Sequence, residues 1–251
     1  MGLNYLEHAS EMDERAGDDP VVFLKPNTSV IGPDEPIRLP ADIGRVDHEG
    51  ELAIVIGSLA KNVRREDFAS VVLGYTIAND VTARDLQARD GQWTRSKGFD
   101  TFGPLGPVIE TEIDPSDIRI ETRVDGDLRQ AGSTNEMVHD IPSLVEFVSS
   151  IWTLLPGDVI LTGTPAGVGQ IRDGEVVEVT ISGIGTLKNP GDRAPLTRLV
   201  RPTARSPSGE RAVPRSGPFR ATRPGCGLAW RSRSSLRKVI TRCHGGGERN
   251  G

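Results

Sequence analysis

Residues 47–57, DHEGELAIVIG, decide how this chain is read. Leu52, Ala53, Ile54, Val55 and Ile56 form an apolar, mostly β-branched run closed by Gly57, the composition of a buried strand. Residues two apart in a strand share a face, so Glu49 and Glu51 present their carboxylates on the same side. A second run, residues 71–78, leads into Asp80 within GYTIANDVTARDLQ. An acidic pair beside a carboxylate at a second strand end offers three hard oxygen ligands to one divalent cation. The competing reading places these acids on the solvent face of an edge strand.

Working outward, short apolar segments separated by Gly, Pro and Asp recur at residues 21–24, 118–124, 159–162 and 176–184, which favours a mainly β architecture. In the last of these, Val177, Val179 and Ile181 alternate with Glu178, Thr180 and Ser182, as in a half-buried strand. One helix is expected over residues 141–155. There Leu144, Phe147, Val148, Ile151 and Trp152 recur at helical spacing as a packed face, Asp140 and Pro142 mark the start, and Pro156-Gly157 marks the stop. Neither a phosphate-binding GxxxxGK[ST] nor a dinucleotide-binding GxGxxG is present.

The chain has 251 residues and a formal net charge of −5, which hides a division. From Gly191 onward 14 Lys and Arg stand against 3 Asp and Glu, whereas the preceding residues carry 16 against 32. The basic end is rich in Arg, Pro, Ser and Gly and lacks apolar periodicity, so it is expected to be disordered. Its charge and Trp230 would suit a nucleic-acid arm, but an unselected extension explains them more simply, and no nucleic-acid partner is expected. Both cysteines, Cys226 and Cys243, lie there, leaving the acidic body without thiol chemistry. No apolar run approaches membrane-spanning length and the first residues do not read as a secretory signal, so a cytoplasmic protein is expected.

Other groups could carry chemistry. A helical turn opening after Asp80 would align Asp80, Arg84 and Gln87 on one face, where Arg84 could hold a substrate carboxylate or merely pair with Asp80. His8 and Glu11 stand three apart in YLEHASE, so on a helix they meet as a base and its orienting carboxylate. His48 and His139 have no matching partner nearby in sequence and read as incidental. Lys25 in FLKP, Lys97 in SKGFDTFGPLGP and Thr164 in LTGTPAGVG sit in turn-rich segments that by themselves say little.

Taken in order, GLNYLEHASE, FLKP, DHEGEL, GYTIANDVTARDLQ, SKGFDTFGPLGP, LTGTPAGVG and GIGTLKNP resemble the motif series of the fumarylacetoacetate hydrolase family over about residues 2–190. The resemblance implies an α+β, mostly β fold, a mixed β-sandwich roll of the type of that family's C-terminal domain. It implies Mg²⁺ or Mn²⁺ held by Glu49, Glu51 and Asp80, a lid helix near residues 3–14, and a water-activating dyad of His8 and Glu11. Lys97 would stand beside the bound substrate, and Lys25, Arg84, Gln87 and Thr164 would contact it. A homodimer is implied as well.

The reaction so implied is metal-dependent hydrolysis of a C–C bond in a 2,4-dioxo acid of the acylpyruvate or fumarylpyruvate type. Isomerisation of 2-hydroxyhepta-2,4-diene-1,7-dioate in aromatic catabolism and decarboxylation of oxaloacetate are the family alternatives, and an inactive metal-binding remnant is the non-enzymatic one. Two departures stand out. The β segment that usually precedes the NY motif is missing ahead of Met1, which is expected to leave the lid helix poorly anchored, and the basic tail replaces the usual short ending.

Overall fold

The structure, a computed structural model, describes residues 1–12 and 17–193. The basic tail from residue 194, with Cys226, Trp230 and Cys243, lies outside the described residues, as does part of the expected lid segment. In chain order the strands are β1 Val30–Ile31, β2 Ile37–Arg38, β3 Val46–His48, β4 Gly50–Ile56, β5 Val72–Asn79, β6 Thr82–Ala83 and β7 Gly103–Glu110. They continue with β8 Arg119–Val124, β9 Asp127–Ser133, β10 Val159–Leu161, β11 Gly169–Gln170, β12 Val176–Ile181 and β13 Gly185–Asp192. The α-helices are α1 Leu6–Glu11, α2 Arg84–Asp90, α3 Thr94–Lys97 and α4 Ile141–Ile151.

Among the described residues the strands form three sheets, with strand orders β1-β7-β5-β4-β10, β11-β3-β6 and β2-β13-β12-β8-β9. β12 packs against β4 and β5, β8 against β4, and β13 against β5 and β7, so the two five-stranded sheets close face to face. Their shared core takes the inward residues of β8 and β12, Ile120, Val124, Val177, Val179 and Ile181, with Leu52, Ile54, Ile56 and Ile77 of the facing sheet. On the other face Arg119 pairs with Glu121 along β8 and Lys188 with Glu178 across β13 and β12, the alternation expected of a sheet with one wet side. β4 is buried along its whole length. It is an interior strand between β5 and β10, which rules out the edge-strand reading of Glu49 and Glu51.

Several expectations need correction. Residues 21–24 form no strand beyond a single bridge from Val21 to Gly2. α4 starts as expected, with Asp140 accepting from the Ser143 N–H, but ends at Ile151. Four residues early, Leu154 exchanges two backbone hydrogen bonds with Ala60, at 2.8 and 3.0 Å, and a long-range bridge takes the backbone the last turn would have used. The buried face is therefore Ile141, Leu144, Val145 and Val148, while Ile151 and Trp152 stay 44% and 37% exposed.

The segment entering α1 is held more firmly than expected. Asn4 is buried and donates from Nδ2 to the carbonyls of His139 (2.9 Å) and Thr162 (2.7 Å), while Oδ1 accepts from the His139 N–H (2.8 Å). The Gly2 N–H donates to Val21 and the Val138 N–H to Asn4, each at 2.9 Å. One buried amide with both ends satisfied anchors this segment to the His139 and Thr162 backbone. Among the described residues, no helix is long and apolar enough to cross a membrane.

Candidate active site

The acidic residues gather where the chain passes from one sheet to another. Glu49 links β3 to β4, and Asp80 links β5 to β6. The antiparallel register of β4 and β5 places Gly50 opposite Asn79 and Glu51 opposite Ala78. Continued by one residue, it sets Glu49 beside Asp80, with the Asp80 N–H donating to the Glu49 carbonyl at 2.9 Å and the Glu49 N–H to Asn79 Oδ1 at 2.9 Å. Cross-strand neighbours have Cβ atoms about 5 Å apart, and period two adds Glu51 on the same side. One carboxylate oxygen from each of Glu49, Glu51 and Asp80 thus lies within 4.8 Å of the other two, and all three side chains are buried.

Cations surround two of the three acids. Lys97 is 2% exposed, and its Nζ donates to Glu49 Oε2, Asp80 Oδ2 and Thr82 Oγ1, each at 2.8 Å. Lys25 Nζ donates to Asp80 Oδ1 at 2.6 Å and to the Lys97 carbonyl. Arg84 NH2 forms an ion pair with Glu49 Oε1 at 2.7 Å, though not in hydrogen-bonding alignment. Burial alone would raise the Glu49 and Asp80 carboxyls. For Glu49, Lys97 and Arg84 outweigh that and pull it well below its usual range; for Asp80, Lys25 and Lys97 do the same.

Glu51 is different. Oε2 accepts from the Gly163 N–H at 2.7 Å, but Oε1 is buried without a partner. Burial pushes this carboxyl up to about 8, with Asp80 and Glu49 adding to the shift and the Met1 ammonium and Lys97 opposing it. An acid held this way brings an oxygen without a hydrogen-bond partner among the described residues to a cluster of three carboxylates, an arrangement that a divalent cation between the three would complete. The donor set is all oxygen, which suits Mg²⁺ or Mn²⁺ rather than a thiophilic metal. Gly163 is required locally: its φ is +96°, and a Cβ there would meet Asn4 Cβ at 2.7 Å.

His8 on α1 is also buried, with Nδ1 3.4 Å from Glu11 Oε2. Glu11 also accepts from the Gly167 N–H, at 3.1 Å to Oε2, tying α1 to the LTGTPAGVG loop. His8, Glu49, Arg84, Gln87, Lys97 and Thr164 line one narrow cavity of about 10 Å³, room for about one water.

α2 begins at Arg84, after the strand β6, so Asp80 is not on its face and Arg84 turns elsewhere: Nε donates to Asp47 Oδ2 and NH1 to Gln87 Oε1, both at 2.9 Å. Lys25 does not line the cavity but braces Asp80 from behind. The Thr164 hydroxyl is engaged within the protein, donating to the Gly50 carbonyl at 2.8 Å and accepting from Gln130 Nε2 at 2.7 Å.

Sequence reading missed three residues. Asp47 is buried and joins Arg45 to Arg84. Arg45, Asp47, Glu49 and Glu51 continue one period-two series, a signal available in RVDHEGE. Gln130 on β9 had none. Buried and fully engaged, it accepts from the Gly50 N–H (3.0 Å), contacts His48 Nδ1 (3.1 Å) and donates to Thr164 and to the Pro165 carbonyl. His48 is therefore not incidental: it is completely buried, and burial lowers its basicity.

With this geometry in view, the comparisons are decisive at the level of family. The family model for the fumarylacetoacetate (FAA) hydrolase C-terminal domain matches residues 1–190. The chain belongs to that family. A Mycobacterium tuberculosis protein, Rv2993c, is 58% identical over 193 residues, covering 76% of this chain and 73% of that one. The crystal structure of a 5-carboxymethyl-2-hydroxymuconate delta-isomerase from Mycobacterium smegmatis superposes with a TM-score of 0.73 at 59% identity, over 77% of each chain. An oxaloacetate tautomerase, the mitochondrial fahd2 of Xenopus laevis, is 44% identical over 202 residues, covering 76% of this chain and 63% of that protein. The fold agrees with the α+β, mostly β expectation and the family with the resemblance in the motifs; the named activities of these relatives are isomerisation and tautomerisation.

Proposed function

We propose that this chain is a divalent-metal-dependent enzyme that moves a proton on a small 2-oxo acid, interconverting keto and enol forms or shifting a double bond conjugated to them. The observation that carries the reading is one cavity lined both by His8, whose ring meets the Glu11 carboxylate, and by Glu49, one of three clustered buried acids of which Glu51 has an oxygen without a hydrogen-bond partner among the described residues. Glu49, Glu51 and Asp80 would hold Mg²⁺ or Mn²⁺. When bound, the metal would polarise the substrate's 2-oxo group and stabilise negative charge developing there.

The chain's own residues do the rest. Glu11 fixes the His8 ring through Nδ1, leaving Nε2 to take the proton from substrate C3 and deliver it to the 2-oxygen for enolisation, or to the far carbon of the conjugated system for a double-bond shift. Lys97, already donating to two acids and a hydroxyl, offsets charge on the reacting oxygens without having to reorganise. Arg84 and Gln87 hold each other at the cavity wall and orient the substrate carboxylate. A cavity of about 10 Å³ does not admit such a molecule, so α1 must shift for entry and return to exclude bulk water.

A second reading, hydrolytic C–C cleavage of an acylpyruvate, uses the same groups with His8 activating water instead. Room for about one water beside His8 favours it. Both readings include a homodimer, which sedimentation of the purified chain checks. The discriminating experiment incubates the Mg²⁺-loaded protein with oxaloacetate, acetylpyruvate and 2-hydroxyhepta-2,4-diene-1,7-dioate and follows products by NMR in deuterated water. Metal-dependent deuterium uptake at C3 with the carbon skeleton intact supports proton transfer; acid fragments identify the hydrolase; neither product, with metal bound, refutes both.

A further inference from the structure

The inner cavity has room for about one water as it stands and would take only the reacting end of a substrate once α1 has shifted, but it does not stand alone. A second, open cleft of about 980 Å³ adjoins it and shares Met12, Arg84, Gln87 and Trp93 as common wall. This shared wall, with Arg84 and Gln87 in it, gives the part of a substrate beyond the reacting end a cleft to extend into, whose chemistry would then select the far end.

One buried carboxylate connects the two spaces. Asp47 Oδ2 accepts from Arg84 Nε at 2.9 Å, and Arg84 faces both spaces. Asp47 Oδ1 accepts from Arg45 Nε at 2.7 Å, and Arg45 lines only the outer cleft. The exposures differ sharply: the Asp47 and Arg84 side chains are 1% and 11% exposed, Arg45 52%. Binding through Nε leaves the two terminal amino groups of Arg45 at the exposed end of the side chain, the fork that accepts a carboxylate bidentately. Alternation along RVDHEGE explains the placement, because Arg45 and Glu49 share a face four residues apart, about 13 Å at the rise of a strand. An extended substrate and a long side chain close that distance between them. The other charged residue lining the cleft, Asp85, folds its carboxylate over Gly44.

We propose that the outer cleft is the subsite for a second, distal carboxylate of the substrate, and that Arg45, fixed on Asp47, is the residue that reads it. The inference rests on the proposed function and narrows it to 2-oxo acids whose far end is anionic. Asp47 is a positioning residue, holding one arginine at the reacting end and the other at the far end.

The test uses the full chain saturated with Mg²⁺ and three probes: oxalate, which mimics only the reacting end; acetylpyruvate, whose far end is a methyl group; and fumarylpyruvate, whose far end is a carboxylate. Dissociation constants are measured by calorimetry, with kcat/KM in their place where a probe turns over. Wild type is expected to favour fumarylpyruvate over acetylpyruvate by about 10- to 100-fold, the span of one charge-assisted pair. Arg45→Gln should bring that ratio near one, and Arg45→Glu should invert it. Arg45 is exposed, so both variants are expected to fold, which circular dichroism verifies. No preference in wild type, or a preference that survives Arg45→Gln, overturns the inference while leaving the proposed function standing. Failure of all three probes to bind overturns both.

Discussion

Glu51→Gln should make the metal-free protein more stable while destroying its ability to respond to metal. The Glu51 carboxyl is buried, pushed up to about 8 from an ordinary 4.5, and lacks a partner for Oε1. The sign follows from proton linkage. The unfolded chain releases this proton near pH 4.5 and the folded chain only near 8, so between those values folding requires a proton that the unfolded state has already lost. The penalty is absent below about pH 4.5, grows as pH rises and levels off above 8. At pH 7 it is on the order of 3 kcal/mol. Glutamine carries no charge, can accept from the Gly163 N–H and directs its amide toward the oxygens of Glu49 and Asp80. For a domain of this size the gain corresponds to a rise in Tm of about 6–12 °C in EDTA at pH 7. Mg²⁺ should then raise the Tm of wild type but not of the variant. Thermal denaturation at pH 4.5, 6, 7 and 8, with EDTA or Mg²⁺, measures all of this. A Glu51→Gln Tm below wild type in EDTA at pH 7, or a gain that does not vary with pH, would refute the reasoning.

Three further outcomes are expected. Lys97→Met strips a shared cation from Glu49 and Asp80, which keep only Arg84 and Lys25; metal-free stability should fall by about 3 kcal/mol, with Mg²⁺ restoring part of it, and melting curves with and without metal decide this. Because a cation must displace the Glu51 proton, apparent Mg²⁺ affinity should rise by up to about tenfold per pH unit from pH 6 toward 8 and then flatten, as calorimetry at several pH values would show; a flat profile contradicts the assigned ligand set. His8→Ala should lower kcat by about 10²- to 10⁴-fold with Mg²⁺ affinity changed less than about threefold, since His8 is not one of the three clustered acids; equal losses in both would instead make it part of the metal site.

Reading the candidate site was easier than reading its connections. Period two alone put Glu49 and Glu51 on one face, and three-residue spacing alone put His8 beside Glu11, because both depend on backbone repeats within one element. The same alternation reaches back to Asp47 and Arg45, so those two were legible and passed over. Gln130 was not: it comes from a strand 80 residues from the Gly50 backbone it supports, and no local pattern signals that approach.

By itself, then, the sequence determined the β-rich architecture, the start of α4, the three acids and the family, since periodicity, capping and ordered motifs are properties of neighbouring residues. Tertiary structure alone decided that β4 is interior, that Asp80 meets Glu49 across a strand pair while Arg84 turns to Asp47, and that α4 stops at Ile151 where Leu154 is captured by Ala60. Those outcomes depend on which distant segments compete for the same backbone groups and the same buried charge. Sheet register and pairing between remote residues settle that competition, and neither is written in any single stretch of the chain.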